Sequence, residues 1–288
     1  MADRVGLGWR PELAAGIFDA LDRIDILEII SDDFLGAGRQ ERQGLNLIAR
    51  QVPVHVHSID LGMAGHEEVS TERLEKLARL IHDIEPEGWS EHLAFVRAGD
   101  IEIGHLAAPP RTVASIASTA RNVRKASEIV GAMPQMENIA TLMQPPGSTM
   151  SEQAWIAGII AASGCGLLLD LHNLHANATN FGFDPVQFLA EIPLECVADI
   201  HIAGGRWISS PDGDKQYLLD DHLHAVDQPV YDLLSEVAAR ATQPLTVILE
   251  RDGAYPPVPV LLQELERARD ALAIGRRRRA EQRVGHAG

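Results

Sequence analysis

Seven stretches of this 288-residue chain carry imidazole, carboxylate or carboxamide groups at or just beyond short apolar runs. His55 and His57 lie in HVHS, Glu91 and His92 in SEHLAF, and Glu137 and Asn138 in QMENIA. Asp170, His172 and Asn173 lie in LLLDLHN, His201 in DIHIAGG, and Glu250 and Asp252 in VILERD. A further stretch, DDHLH, supplies Asp220, Asp221, His222 and His224. A buried carboxylate or imidazole without a partner costs several kcal/mol. A bound cation cancels that cost and lets acids crowd together. A mixed imidazole and carboxylate set without cysteine suits Fe, Mn and Zn. The set exceeds one coordination sphere, so two or three ions sharing bridging carboxylates are expected, with Glu137 and Asp170 as the bridges.

Taken singly, each residue has an ordinary reading. A strand histidine packs in a core, and an aspartate at a strand end caps a helix. His66, His82, His105, His175 and His286 are read that way. His224, two residues beyond His222, is read as solvated loop. The remaining residues stand out because consecutive strands deliver them.

The elements that must position these groups alternate. Strands are expected at Val5–Trp9, Ile26–Ile30, Val52–His57, Trp89–Phe95, Gln135–Ile139, Leu167–Leu171, Ala198–Ala203 and Leu245–Glu250. Helical patterns lie between them. One opens at Pro11, the position a helix start favours. Others cover Arg39–Arg50, Thr71–Ile84, Thr112–Val130, Ser151–Ala162 with Ser151 as N-cap, Asp184–Ala190, Gln228–Ala239 and Val258–Leu272. A long loop is expected after the seventh strand. Eight strand–helix repeats predict a parallel sheet closed as a single (β/α)₈ barrel, whose strand C-termini converge on one mouth. The domain is expected to span residues 1–275. Residues 276–288, which include Arg276 to Arg279, are expected to form a basic, flexible tail. Neither G-x-G-x-x-G nor a Walker A motif appears, which lowers the nucleotide-binding reading.

Composition narrows the class. Hydrophobic residues make up 45%, which excludes a disordered chain. The formal net charge is −16, so the surface repels nucleic acid and anionic membranes, and neither is expected as a partner. No run of apolar residues is long enough to span a bilayer, and the first residues lack a signal peptide's apolar stretch. The expectation is a cytoplasmic protein. Cys165 and Cys196 are read as buried small residues rather than a disulfide framework.

From VGLGWRPE to VILERDGAYPP, the chain also resembles a known family. The motifs are LEIISDDFL, PVHVHSIDLG, WSEHLAF, MEN, GLLLDLHNLHANATNFGFDP, DIHIAGG, LLDDH and ILERD. They are similar to those of the multinuclear non-haem iron-dependent oxidative enzymes, the group that includes the iron enzyme of methanobactin biosynthesis. The resemblance implies a TIM barrel of the xylose-isomerase-like kind. It implies His57, His92, Glu137, Asp170, Asn173, His201, Asp220, His222 and Glu250 as metal ligands. It further implies Asp32, His57, His92 and Asp220 as catalytic residues, with Asp32 standing where the family has Glu. The cofactors implied are two or three irons, mixed Fe²⁺ and Fe³⁺, with O₂ as co-substrate. A purified sample can instead carry Zn or Mn. The substrate implied is a ribosomally made precursor peptide, oxidised most often at Cys and presented by a small partner protein. HLAAPPRT and NFGFDP depart from the family's LLPLPYT-like and N-H-G-F-D-P stretches, in loops that could line the mouth. Two other readings stay open. One is a two- or three-metal hydrolase or sugar isomerase on the same barrel. The other is a metal-storing or peptide-binding scaffold.

Overall fold

The apolar runs form strands. The computed structural model describes residues 2–99, 101–210 and 212–285, with only the backbone of 283–285. Its strands are β1 (Arg4–Gly8), β2 (Leu27–Ile30), β3 (Val54–His57), β4 (Gly88–His92), β5 (Phe95–Ala98), β6 (Ile101–Ala107), β7 (Gln135–Glu137), β8 (Gly166–Asp170), β9 (Val197–Ile202), β10 (Gly205–Ser209), β11 (Gln216–Asp220) and β12 (Thr246–Leu249). The helices are α1 (Ala14–Phe18), α2 (Arg39–Ala49), α3 (Thr71–Ile84), α4 (Val113–Val130), α5 (Glu152–Ser163), α6 (Leu171–Phe181), α7 (Pro185–Glu191), α8 (Gln228–Arg240) and α9 (Val258–Gly285). Eight strands, in the order β1-β12-β9-β8-β7-β4-β3-β2, close into a barrel. The expected (β/α)₈ architecture is present.

Packing groups the chain into two compact halves, Ile26–Leu168 and Met1–Asp25 with Leu169–Gly288. In the first, β2, β3, β4 and β7 pair in parallel. Strands buried on both faces must be apolar except where they carry function, and every residue of β2 and β3 is buried. The register sets Ile30 beside His57, His57 beside Ser90, and His92 beside Glu137. In the second half, β12 lies between β1 and β9, with Ile248 beside His201. The Glu250 amide continues that ladder by donating to the Ile202 carbonyl at 3.0 Å.

Local signals start and stop the helices as read. Ser151 Oγ accepts from the Ala154 amide at 3.2 Å, capping α5. The helix ends at Gly164, where φ is 80°, a left-handed turn that glycine takes without strain.

Several boundaries differ from the sequence reading. Pro11 opens a short 3₁₀ turn, Pro11–Leu13, ahead of α1. The fourth, fifth and sixth strands stop at His92, Glu137 and Asp170, short of the expected ends. The segment after Asp170 is helix α6, which periodicity did not reveal. Its LHNLHANATNF sequence is poor in strong helix formers. Burial of Leu171, Leu174, Ala176 and Ala178, with a cap from Asp170, outweighs propensity. Antiparallel hairpins β5–β6 and β10–β11 occupy the regions after the fourth and seventh strands. The second replaces the expected long loop. The last helix continues past residue 275 to Gly285 and is tied down on the way: Arg276 chelates Asp3 through Nη2 at 2.6 Å and Nε at 2.9 Å, Arg278 donates to Glu236 at 2.9 Å and Arg279 to the Ala241 carbonyl at 2.6 Å. His286 lies outside the described residues. Cys165 is buried as expected, whereas Cys196 is half-buried. Among the described residues, no helix is long and apolar enough to cross a membrane.

Candidate metal centre

Within Ile26–Leu168, three ligand-type atoms converge at the strand ends. His57 Nε2 lies 3.4 Å from His92 Nε2, and Glu137 Oε2 lies 3.4 Å from each of the two. All three residues are buried. An equilateral face with 3.4 Å edges is what three donors form at tetrahedral angles ~2.1 Å from one ion, the usual distance for imidazole and carboxylate ligands of zinc-sized metals.

Each imidazole is held by its other nitrogen. Ser90 Oγ lies 2.7 Å from His57 Nδ1 and 3.2 Å from His55 Nε2, so one hydroxyl is shared by two stacked rungs. With Nδ1–H given to Ser90, His57 presents the Nε2 lone pair inward. His92 Nδ1 lies 3.3 Å from Glu91 Oε1, which also accepts from the His92 amide at 2.7 Å. Glu91 Oε2 accepts from the Leu61 amide at 2.9 Å. Burial pushes the Glu91 carboxyl above its ordinary range, although His92 and the two amides pull the other way. Outer partners of this kind fix the tautomer and orientation of metal-bound histidines.

The second half, Met1–Asp25 with Leu169–Gly288, holds its own set. Asp170, His201 and Glu250 are buried and offer ligand atoms within 4.8 Å of one another. His201 Nδ1 lies 3.1 Å from Glu250 Oε2. Asp170 also caps α6, its Oδ1 accepting from the Asn173 amide at 2.6 Å. The helix-cap reading of this residue is therefore realised. Asn173 is buried on the same first turn.

Asp220 and His222 flank this group. His222 Nε2 lies 2.9 Å from Asp220 Oδ1 and 3.8 Å from Glu250 Oε2. Its Nδ1 lies 2.9 Å from Asp252 Oδ2, and Asp252 is ion-paired to Arg10. Burial alone would lower the His222 pKa, but Glu250, Asp220 and Asp252 together raise it well above the ordinary value. The carboxylates that raise it are the ones a bound cation would share with the ring, so cation binding and proton loss at His222 are linked. The backbone here is left-handed, with φ 53° at His222, so the loop turns the ring inward at some strain.

Other candidates sit elsewhere. Asp32 does not join either group. Its Oδ2 accepts from the Ile59 amide at 2.9 Å, which ties the end of β2 to the segment just past His57. His224 is 48% exposed in its side chain and bonds Asp221 Oδ1 at 2.9 Å. His66, His82 and His105 are exposed, and His175 is half-buried. His172, left unassigned from sequence, is fully buried with Nε2 3.6 Å from Asp220 Oδ1. Burial lowers its pKa. Ser90, Glu91 and Asp252 were not identified as orienting groups. Their signal was position alone, each lying one or two residues from a ligand candidate in its motif.

The residues fit a metal. Two oriented imidazoles and a carboxylate meet on one face, and a second imidazole–carboxylate set lies in the other half with His222 beside it. Hard and borderline divalent ions take such donors.

Comparison with known proteins gives the family and the fold. A family model described as "RiPP precursor modification enzyme MbnB/TglH/ChrH" matches residues 4–273. A UPF0276 protein of Streptomyces avermitilis is 37% identical over 277 residues, covering 93% of this chain and 54% of the relative. This chain thus spans about half the length of that relative. A UPF0276 protein of Caulobacter vibrioides is 30% identical, with 96% of each chain covered. Among solved structures, an L-ribulose 3-epimerase superposes with TM-score 0.58 at 14% identity, covering 100% of this chain and 99% of the other. A xylose isomerase domain-containing protein from Salmonella typhimurium gives TM-score 0.60 at 12% identity, covering 94% and 97%. At such identity these two establish the fold alone, a xylose-isomerase-like TIM barrel.

Proposed function

The chain belongs to the MbnB/TglH/ChrH family of RiPP precursor modification enzymes, and we propose that it oxidises a cysteine of a ribosomally made precursor peptide, using two or three bound irons and O₂. The observation that carries the reading is the triangle of His57 Nε2, His92 Nε2 and Glu137 Oε2, with edges of 3.4 Å. We assign His57, His92 and Glu137 to one ion. Asp170, Asn173, His201, Asp220, His222 and Glu250 are assigned to the remaining one or two. Glu137 and Asp170 are the proposed bridging carboxylates, and Asp32 is proposed to act near the mouth.

Bound iron would supply a one-electron redox couple, an O₂-binding position and a Lewis-acid charge that lowers a thiol's pKa. The chain's own residues do the rest. Ser90 and Glu91 hold the imidazoles of His57 and His92 with their lone pairs inward. Asp252 holds His222 from behind. His201 and Glu250 lie in buried strand ends, where water is excluded and charges interact strongly. The reaction takes place in the cytoplasm, with a small partner protein presenting the peptide.

The test is anaerobic loading with Fe²⁺, followed by exposure to O₂ and the Cys-containing peptide encoded beside the gene. Mass loss or gain at the cysteine, dependent on iron and O₂, is expected. Turnover with zinc or manganese on a sugar, and none with iron on peptide, would replace this reading by the isomerase one.

A further inference from the structure

Strands β10 and β11 pair only with each other among the described residues, and they end directly at Asp220. In an antiparallel pair, alternate residues turn their N–H and C=O toward the partner strand, and those between turn theirs away. Two observations fix the phase. The Ser210 amide donates to the Lys215 carbonyl at 2.8 Å, so positions 210 and 215 face inward. Leu218 faces outward: its amide donates to Asn180 Oδ1 at 2.8 Å, and its carbonyl accepts from Asn180 Nδ2 at 2.9 Å. The Asn180 carboxamide therefore occupies the outer edge of β11 much as another strand would.

Leu218 is paired with Trp207. The same phase turns the amides and carbonyls of Gly205, Trp207 and Ser209 away from β11. No other strand runs along that side of β10 among the described residues. The edge carries no proline or bulge, and its one charged residue, Arg206, is ion-paired to Asp221 at 3.3 Å. It also presents Trp207, which is 56% exposed. The edge also adjoins the ligand set. β9 carries His201 and ends at Ile202, while Gly205, the first residue of β10, pairs with Asp220.

We propose that the outer edge of β10 binds the precursor peptide as an added strand, which delivers its reacting residue to the side chains around His201 and Asp220. This rests on the peptide-modifying reading above. Main-chain hydrogen bonds at Gly205, Trp207 and Ser209 supply affinity tolerant of sequence, and Trp207 packs one peptide side chain. Five residues of strand span ~16 Å, enough to grip four or five residues on one side of the reacting one. Continuity with the ligand set selects substrate over a second copy of the chain.

Hydrogen exchange on the iron-loaded chain, with and without the synthetic precursor peptide encoded beside the gene, tests this. The amides of Trp207 and Ser209 are expected to gain protection only with peptide. Ser209→Pro removes an outward N–H and leaves the main-chain ladder to β11 intact, losing only the bond that Ser209 Oγ accepts from Gln216 Nε2 at 2.9 Å, which Ser209→Ala also loses; it is expected to raise the peptide KM about tenfold. Iron content and kcat should hold, and Ser209→Ala should stay within about twofold of wild type. Peptide that is modified without protecting these amides, with Ser209→Pro unchanged, overturns the edge site and leaves the proposed function standing. Protection that grows with protein concentration and needs no peptide assigns the edge to self-association and overturns it as well. Peptide that neither binds nor reacts overturns the proposed function and the edge site together. The exchange measurement uses the unmodified chain, so it decides even if Ser209→Pro fails to fold.

Discussion

His57 Nε2 and His92 Nε2 face each other across 3.4 Å, and each ring is turned by a partner behind it, Ser90 for His57 and Glu91 for His92. The partners are adjacent in sequence on β4, so the strand that supplies one ligand also orients two.

Removing these partners should loosen the metal without deleting a ligand. Glu91→Gln keeps the shape but weakens the acceptor behind His92 Nδ1. Iron affinity, read by competition with a chelator, should fall ~10–100-fold. Ser90→Ala should act in the same direction through His57. Unchanged affinity in both variants would mean that the triangle does not hold the metal.

His201→Ala and His224→Ala separate ligand from loop. His201 is fully buried with Nδ1 3.1 Å from Glu250, whereas His224 is exposed and bonded to Asp221. His201→Ala should lower iron content and abolish activity together, because the neighbouring carboxylates lose compensating charge. His224→Ala should keep its iron, with activity reduced by less than ~10-fold. The reverse pattern would place the DDHLH segment in the wrong register.

The last helix should stabilise the chain through Asp3 in a pH-dependent way. Burial by itself raises the Asp3 carboxyl, but hydrogen bonds from Arg276 and the Leu245 amide, with the guanidinium charge, bring it below its ordinary value. A carboxyl depressed in the folded state contributes stability that is present above its unfolded pKa of ~3.9 and is lost as pH falls through the folded value. Arg276→Ala should cost roughly 1–2 kcal/mol near pH 7. Thermal denaturation of both proteins at pH 7 and pH 3 should show the gap closing in acid. A constant gap would mean that Arg276 stabilises through its bonds to the Ala238, Ala241 and Gln243 carbonyls and its packing rather than through Asp3.

Gly205 should not tolerate a side chain. A Cβ there would lie 2.2 Å from the Leu219 carbonyl oxygen and 2.5 Å from His172 Nε2. Backbone cannot yield cheaply, so Gly205→Ala should cost ~1–3 kcal/mol and push the start of β10 away from β11, displacing Asp220. A lowered Tm with reduced activity is expected. A wild-type Tm would show that the hairpin moves freely.

The barrel was legible because eight short apolar runs alternate with helical patterns, and the barrel order uses all eight. The ligand candidates were legible because His57, His92, Glu137, Asp170, His201 and Glu250 interrupt runs that burial should have kept apolar. Helix α6 was hidden because its stability comes from burial and the Asp170 cap rather than from propensity. The hairpins were hidden because β6 is largely exposed and β10 is broken in pattern by Gly205 and Arg206. The Asp32 carboxylate accepts from the Ile59 amide, a contact no spacing announces.

Whether the chain holds coupled irons is read most directly by Mössbauer spectroscopy of anaerobically loaded ⁵⁷Fe protein, alongside elemental analysis. Two or more irons per chain are expected, with exchange coupling through bridging carboxylates. A single uncoupled iron, or a stoichiometric zinc that iron cannot displace and that leaves no iron-dependent activity, would contradict the multinuclear iron site.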